Sequence, residues 1–349
     1  MITPQKDVTI YDIANELKIS VATVSRALKD DPVVNKKTKK KISELAEKLG
    51  YRSNILARNL RNQKTNTIGL IVSKIASHFQ ASVISGIEDV ANKHGYNLII
   101  SQSSEQYSKE EANAKTMFNN RVDGILVSLS FDTKNLKHFE PFFKKNIPVI
   151  FFDRVMQHPN STSIIINNTE AARIATQHLI EQGCKKIIHI TAQLKQNVYI
   201  DRLKGYKQTL EEHNIPFKKS NVIISNLGFY DGMEAAEKIL GMKPLPDGVF
   251  VANDNCAVGC MIALKKAGIK IPEDIAFVGF NNDPVSEVIE PNLTTINYPG
   301  YDVGKAAAQQ LINHLKGLSS TYSTNTIILK SPFIIRASSL KKSRDNYEG

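Results

Sequence analysis

Val21, Ala22, Thr23, Ser25 and Arg26 fall within the stretch LKISVATVSRALKD, and their types suit one kind of chemistry. The methyl groups of Val21 and Ala22 can meet thymine methyls, and the Arg26 guanidinium can pair with O6 and N7 of guanine. The hydroxyls of Thr23 and Ser25 can hold phosphates, which orients a protein on a duplex without reading its sequence. Side chains this short reach base edges only from an element that protrudes into a major groove. A second group lies far along the chain. Asp153-Arg154, Asp254 and Asn281 each follow an apolar run, where carboxylate, guanidinium and amide groups could hydrogen-bond a polyol or sugar. Helix capping by Asp254 and a turn at Asn281 are the structural alternatives.

The first group needs a small helical unit to carry it. Thr9 can cap a helix over about 10–17, with Ile10, Ile13, Ala14 and Leu17 on one face. A Lys18-Ile19-Ser20 turn follows, and Ser20 can cap a second helix over about 21–28 that turns Val24 and Leu28 inward. Asn35 can cap a third, whose Ile42, Leu45, Ala46 and Leu49 face the same core and whose Lys36, Lys37, Lys39, Lys40 and Lys41 lie outside. Two helices joined by a three-residue turn and closed by a third make a helix-turn-helix. The plain alternative is a helical bundle with solvated hydroxyls.

Charge placement agrees with a polyanion partner for this unit. Residues 1–66 hold 14 Lys/Arg against 7 Asp/Glu, whereas the remaining 283 hold 31 against 27. The excess of a chain with net charge +11 is therefore concentrated in its first fifth.

The second group needs strands. Apolar runs occur at TIGLIV (67–72), NLII (97–100), GILVSL (124–129), PVIFF (148–152), IIHI (187–190), VII (222–224), GVFVA (248–252) and IAFVGF (275–280). Amphipathic stretches separate them, such as 79–94 with Val83, Ile84, Ile87, Val90 and Ala91 on one face. Alternation of this kind predicts parallel sheets covered on both faces. VDGILVS (122–128) is echoed by PDGVFVAN (246–253), and IPVIFFD (147–153) by IAFVGFN (275–281), so two similar α/β lobes stand in tandem. Ligands collect at the carboxyl ends of such strands.

Other classes find little support. No apolar run approaches the 18 residues of a membrane span, and the first twenty residues show no secretory signal, so a cytoplasmic protein is expected. Three cysteines do not make a disulfide framework; Cys256 and Cys260, one turn apart, read as buried structural thiols rather than metal ligands. GYDVGKA (300–306) has the wrong glycine spacing for a P-loop and lacks its Ser/Thr. Sequons at Asn160, Asn167 and Asn292 carry no weight in the cytoplasm. No catalytic set or cofactor motif is present, which argues against an enzyme.

VTIYDIANELKISVATVSRALKDDPVVNKKTKKKISELAEKLGYRSNILARNLR resembles, nearly continuously over residues 8–61, the DNA-binding segment of the lactose-repressor (LacI/GalR-type) family of bacterial transcription regulators. The resemblance puts Val21, Ala22 and Arg26 at base-reading positions. It adds Tyr11, Thr23 and Ser25 to the contacts, and makes Asn54–Asn62 a hinge helix that orders in the minor groove of operator DNA. There Leu60 would wedge between base pairs, Ala57 would permit close approach, and Asn54 and Arg61 would complete the contacts. The likeness runs through the body to about Ser338, with an architecture similar to periplasmic sugar-binding proteins. It implies effector contacts at Phe79, Gln80, Asp153, Arg154, Asn167, Gln196, Val198, Arg202, Leu227 and Asn281. Asn167 and Asn281 depart from the acid many sugar-responsive members carry, and Leu227 from an aromatic ring.

The expected fold is thus an all-α helix-turn-helix DNA-binding domain (1–53), a hinge helix and linker (54–65), and an α/β periplasmic-binding-protein-like body (66–340) of two Rossmann-like lobes with parallel sheets. Lobe 1 is expected to comprise about 66–166 and 294–323, and lobe 2 about 167–293 and 324–340, with a tail at 341–349. The chain would cross between lobes three times. The expected function is a repressor acting as a homodimer on near-palindromic double-stranded operator DNA, its affinity controlled by a sugar-like effector held between the lobes. The tail lacks a leucine heptad, which favours a dimer. The rival is a transport or chemotaxis binding protein, which would need an export signal and no DNA-reading unit.

Overall fold

The computed structural model describes residues 8–51, 64–318 and 325–341. Asn54, Ala57, Leu60 and Arg61 of the expected hinge helix lie outside the described residues. The chain divides into two compact units at Lys64/Thr65.

The first unit follows its capping residues. Both the amide and the hydroxyl of Thr9 donate to the Asp12 carboxylate at 2.7 Å, opening helix α1 (Ile10–Leu17). Lys18 takes the left-handed conformation (φ 51°) that ends it. The Ser20 hydroxyl accepts the Thr23 amide at 3.1 Å to start α2 (Val21–Ala27), and the Asn35 side chain accepts the Thr38 amide at 2.8 Å to start α3 (Lys36–Lys48). Ile13, Ala14, Val24, Ala27, Val34, Ile42 and Ala46 form the core, with Leu28, Leu45 and Leu49 packed against it. Lys39 departs from the expected outer row: its ammonium donates to the carboxylate of Asp30 at 2.6 Å and to the Asp30 carbonyl at 2.9 Å, tying α3 to the preceding turn.

The second unit holds two six-stranded sheets. Its strands are β1 (Thr67–Val72), β2 (Asn97–Gln102), β3 (Gly124–Val127), β4 (Val149–Phe152), β5 (Ser161–Ile166), β6 (Ile187–Thr191), β7 (Val222–Ile224), β8 (Gly248–Val251), β9 (Ala276–Asn281), β10 (Thr294–Asn297), β11 (Asn325–Leu329) and β12 (Phe333–Ile334). The first sheet runs β11-β5-β4-β3-β1-β2, all parallel, and the second β12-β10-β9-β8-β6-β7, parallel except for β12. Helices α4 (His78–Lys93), α5 (Tyr107–Asn119), α6 (Glu140–Lys144) and α12 (Gly300–Leu315) belong to the first lobe. The second carries α7 (Asn168–Glu181), α8 (Asn197–Glu212), α9 (Phe229–Leu240), α10 (Asp254–Lys266) and α11 (Val285–Val288).

Both faces of the sheets are covered, as the uninterrupted apolar runs require. Along β4, Ile150 and Phe152 enter one apolar cluster while Val149 and Phe151 enter another. The internal repeat shows in chemistry as well as in letters. Asp123 before β3 accepts the amides of Thr65 and Asn66, both at 2.8 Å, and Asp247 before β8 accepts those of Lys185 and Lys186 at 2.8 and 2.7 Å. Each carboxylate clasps the chain just before the lobe's first strand.

The lobe limits differ from expectation at the late strands. β10 pairs with β9 and so belongs to the second sheet, not the first, and β11 pairs with β5 and so belongs to the first sheet, not the second. The crossings fall between Ile166 and Asn168, between Asn297 and Gly300, and between Leu329 and Phe333. Both misplaced segments are short strands, TTIN and NTIIL, and only their pairing partners distinguish them. β5, whose opening STS is polar, was not among the expected strands.

Helices α4 and α12 approach closely enough to require glycine. A Cβ on Gly304 would stand 2.1 Å from the Val83 carbonyl oxygen, and one on Gly86 2.1 Å from that of Tyr301. Gly304→Ala should therefore destabilise the body by about 1–3 kcal/mol in urea titrations. Gly241→Ala, whose Cβ would come no nearer than 3.5 Å to its neighbours, serves as the contrast and should shift stability by no more than about 0.5 kcal/mol.

Candidate functional site

On the first unit, α2 presents Ala22 and Arg26 to solvent one turn apart, with Val21, Thr23 and Ser25 half-buried beside them. The hydroxyls of Ser20 and Thr23 share a hydrogen bond of 2.8 Å. Tyr11 on α1 is 63 % exposed. Lys36, Lys37, Lys40 and Lys41 are exposed along α3, with Lys40 3.9 Å from Glu44. The unit thus exposes short side chains and a guanidinium on α2 and a row of cations on α3.

In the second unit the strand ends converge. Asp153, after β4, adopts φ 60°, and Asn281 and Asn282, at and after the end of β9, adopt φ 114° and 59°. Non-glycine residues seldom hold such conformations, though Asn and Asp hold them more readily than most. The Ser128 hydroxyl donates to Asp153 Oδ2 at 3.3 Å, and the Gln80 amide reaches Ser128 at 3.5 Å. Phe79 packs against Tyr298, with ring centroids 4.4 Å apart. Arg154 donates to Glu105 at 2.6 Å and lies 4.1 Å over the Phe131 ring, with the Tyr199 hydroxyl at 3.5 Å. Arg202, from α8, donates to Asn168 Oδ1 at 2.9 Å and to the Ala252 carbonyl at 3.0 Å, and stacks 3.5 Å over Phe280.

Burial governs the charges here. It pushes the Asp153 carboxyl above its usual range, against the pull of the Arg154 and Arg202 guanidiniums. It lowers Arg202, opposed by Tyr199 and Asp153. For Arg154 burial is outweighed by Tyr199, Glu105 and Asp153, which hold its pKa above the ordinary value. In the sheet of the second lobe His189 stacks on Phe250, centroids 4.6 Å apart, and its Nδ1 donates to the Phe250 carbonyl at 3.1 Å. Burial pulls this imidazole down to about 3, so it is neutral at physiological pH.

Of the expected effector contacts, Phe79, Gln80, Asp153, Arg154, Gln196 and Arg202 are buried and joined through this network, and Asn281 lines a cavity of about 140 Å³ with Phe79 and Tyr298. Asn167 instead caps α7, accepting the Glu170 amide at 3.0 Å from an exposed position, while its neighbour Asn168 turns inward to Arg202. Val198 and Leu227 pack into the apolar core of the second lobe. Asp254 does not cap α10. Asn253 does so, and Asp254 is buried, accepting the Thr295 hydroxyl and the Asp283 amide, both at 2.8 Å. Burial and the neighbouring Asp283 carboxylate push Asp254 up to about 7. Glu105, Ser128, Phe131, Asn168, Tyr199 and Tyr298 also belong to the network and were not expected. Gln80 Oε1 and Arg154 Nε are buried without a hydrogen-bond partner among the described residues. Among those residues there is also no cluster of three metal-ligating side chains, and no helix long and apolar enough to cross a membrane.

Known proteins share both parts. Residues 9–54 match the family described as bacterial regulatory proteins, lacI family, and residues 176–339 match the periplasmic binding protein-like domain. Catabolite control protein A of Priestia megaterium is 34% identical over 310 residues, covering 88% of this chain and 93% of that protein. The HTH-type transcriptional regulator RegA of Clostridium acetobutylicum is 36% identical over 309 residues, covering 87% and 91%. The fold is that of the Lac repressor dimer bound to operator and the anti-inducer ONPF, with TM-score 0.85 at 24% identity over 96% of this chain and 100% of that one. A capped three-helix reader, a two-lobed body and relatives of this identity over nearly the whole chain place it in the lacI family of DNA-binding bacterial transcription regulators.

Proposed function

We propose that this regulator is a repressor that binds a near-palindromic operator as a homodimer and answers to a hydroxyl-rich, sugar-like small molecule held between its lobes. Ala22 and Arg26, with Val21, read base edges, while Tyr11, Thr23 and Ser25 anchor phosphates. Asn54, Ala57, Leu60 and Arg61 extend the contact into the minor groove. The protein acts in the cytoplasm and does not turn its ligand over.

The observation carrying the effector reading is the buried set of Asp153, Arg202 and Gln80. Asp153 follows β4, Gln80 comes from α4 and Arg202 from α8; two of the three are charged, and Gln80 Oε1 is still open to a donor. Buried polar capacity of this kind is costly unless a ligand or water meets it. Asp153 supplies acceptors and Arg202 donors, the pairing a vicinal diol satisfies.

A thermal-shift screen of neutral and phosphorylated sugars tests the effector, since a ligand bound to the native state raises the melting temperature. Failure of every sugar, with a rise from another metabolite class, would overturn the sugar reading. For DNA, Arg26→Ala should relax preference at one base pair in each half-site, costing about 1–3 kcal/mol in operator affinity while leaving non-specific binding nearly intact. Selection from randomised duplexes reads this directly. A variant that enriched the parental sequence unchanged would remove Arg26 from base recognition.

A further inference from the structure

One buried acid of the first lobe serves something other than the cleft. Glu110, on α5, is fully buried. Its Oε2 accepts the Ser130 amide at 2.6 Å, and its Oε1 accepts the Thr133 hydroxyl at 2.9 Å and lies 2.8 Å from His138 Nε2. Glu105 accepts the Phe131 amide at 3.2 Å. The amides of Ser130 and Phe131 are thus drawn into the first lobe, which turns the carbonyls of the 130–133 segment outward. Those of Ser130, Phe131 and Thr133 stand 2.7, 3.4 and 3.3 Å from Nε2 of Gln196, at the start of α8 in the second lobe. Next to it, Asn197 donates to the Asp153 carbonyl at 3.2 Å and accepts the Val155 amide at 3.0 Å.

We propose that Gln196 and Asn197 form an interlobe latch, and that Glu110 with His138 is the positioning pair that aims the 130–133 carbonyls at it. Every partner of the latch in the first lobe is main chain, so its grip does not depend on which side chain or ligand fills the cleft. The latch sets the fraction of molecules whose lobes are closed. On the reading of the body as an effector-controlled unit, that fraction scales the effector's apparent affinity. Gln196 is then a closure residue rather than an effector contact.

The test needs neither DNA nor effector, so its outcome is independent of the effector assignment. Lys115 on α5 and Lys238 on α9 are exposed, one on each lobe. In the full chain, Lys115→Cys and Lys238→Cys accept spin labels selectively, because Cys184, Cys256 and Cys260 are buried. Distances between the labels then report closure. The parent should give one short distance. Gln196→Ala should add a longer one and raise the open-to-closed ratio about tenfold, the effect of one buried hydrogen bond. Glu110→Gln and Thr133→Val should shift the ratio in the same direction. Combined with Gln196→Ala, either should add less than it does alone, because both act through the same contact. A purely structural Glu110 would lower the melting temperature and leave the distances alone. If Glu110→Gln does not fold, Thr133→Val decides. Parental distances in Thr133→Val or in Gln196→Ala, or full additivity of the pair, would overturn the latch.

Discussion

An Arg202→Met protein should keep its operator affinity and lose its response to ligand. Among the described residues, Arg202, unlike Arg154, is a buried cation of the cleft with no carboxylate in hydrogen-bond contact; its partners are an amide oxygen and a carbonyl. Removing a charge-assisted donor from such a site costs about 3 kcal/mol, roughly a hundredfold in ligand affinity. Methionine retains length and can keep contact with Phe280 through sulfur. It leaves Asn168 Oδ1 and the Ala252 carbonyl without their donor, so a stability loss of about 1–3 kcal/mol for each group left unpaired, and with it a lower melting temperature, is expected as well. Calorimetric titration well below the melt separates the two effects. Parental ligand affinity in the variant would place recognition elsewhere.

Asp254→Asn should make the body acid-labile. In the parent, two buried groups oppose each other. His189 is held at about 3 against 6.5 when exposed. Below pH 6.5 the unfolded chain therefore takes up a proton that the native state refuses, and stability falls as the pH drops. Asp254 is held at about 7 against 3.8. The native state keeps that proton longer than the unfolded chain, so its contribution is complete below pH 3.8 and is lost as the pH rises to 7. Each linkage amounts to roughly 4–5 kcal/mol at its limit, and between pH 4 and 6.5 they run in opposite directions and largely cancel. Asparagine imitates the protonated acid, accepting the Asp283 amide and donating to the Thr295 hydroxyl, but it does not titrate. The variant should then lose about 3 kcal/mol relative to the parent between pH 6.5 and 4, measured by urea titration at each pH. Parallel curves for the two proteins would show that Asp254 is already ionised across this range.

What the sequence discloses depends on the range of the interaction. Thr9, Ser20 and Asn35 announced three helix starts because capping is settled within four residues. The apolar runs gave most strands because the burial of a strand on both faces is written in a few consecutive residues. β10 and β11 were exchanged between sheets because a strand's partner is not written in the strand itself: β11 pairs with β5, more than a hundred residues earlier, and β10 with the nearby β9. At Asn167-Asn168 two identical side chains stand side by side, and only the turn into α7 decides that the first caps and the second meets Arg202. Glu110 was hidden for a different reason. In SKEEANAKTMFNN it reads as one acid on a solvated helix face, and nothing nearby shows that the 130–133 segment folds over it. Tyr199 and Tyr298 read as core aromatics for the same reason. Asp153, Arg154 and Asn281 were legible because each stands directly after an apolar run, where open parallel sheets place their functional groups.

The order of strands carries a consequence for how the molecule is made. α3 ends at Lys48, whereas β11 and β12, which complete the edges of the two sheets, come from residues 325–334. A chain emerging from the ribosome therefore has its operator reader in place before either half of the sensor can finish. Until residues 325–334 emerge, each sheet that has formed keeps an open margin that invites pairing with neighbouring nascent chains. Premature termination before Asn325 would leave a polypeptide with the complete reader and an unfinished sensor. Such fragments would be expected to compete for DNA without answering to any metabolite.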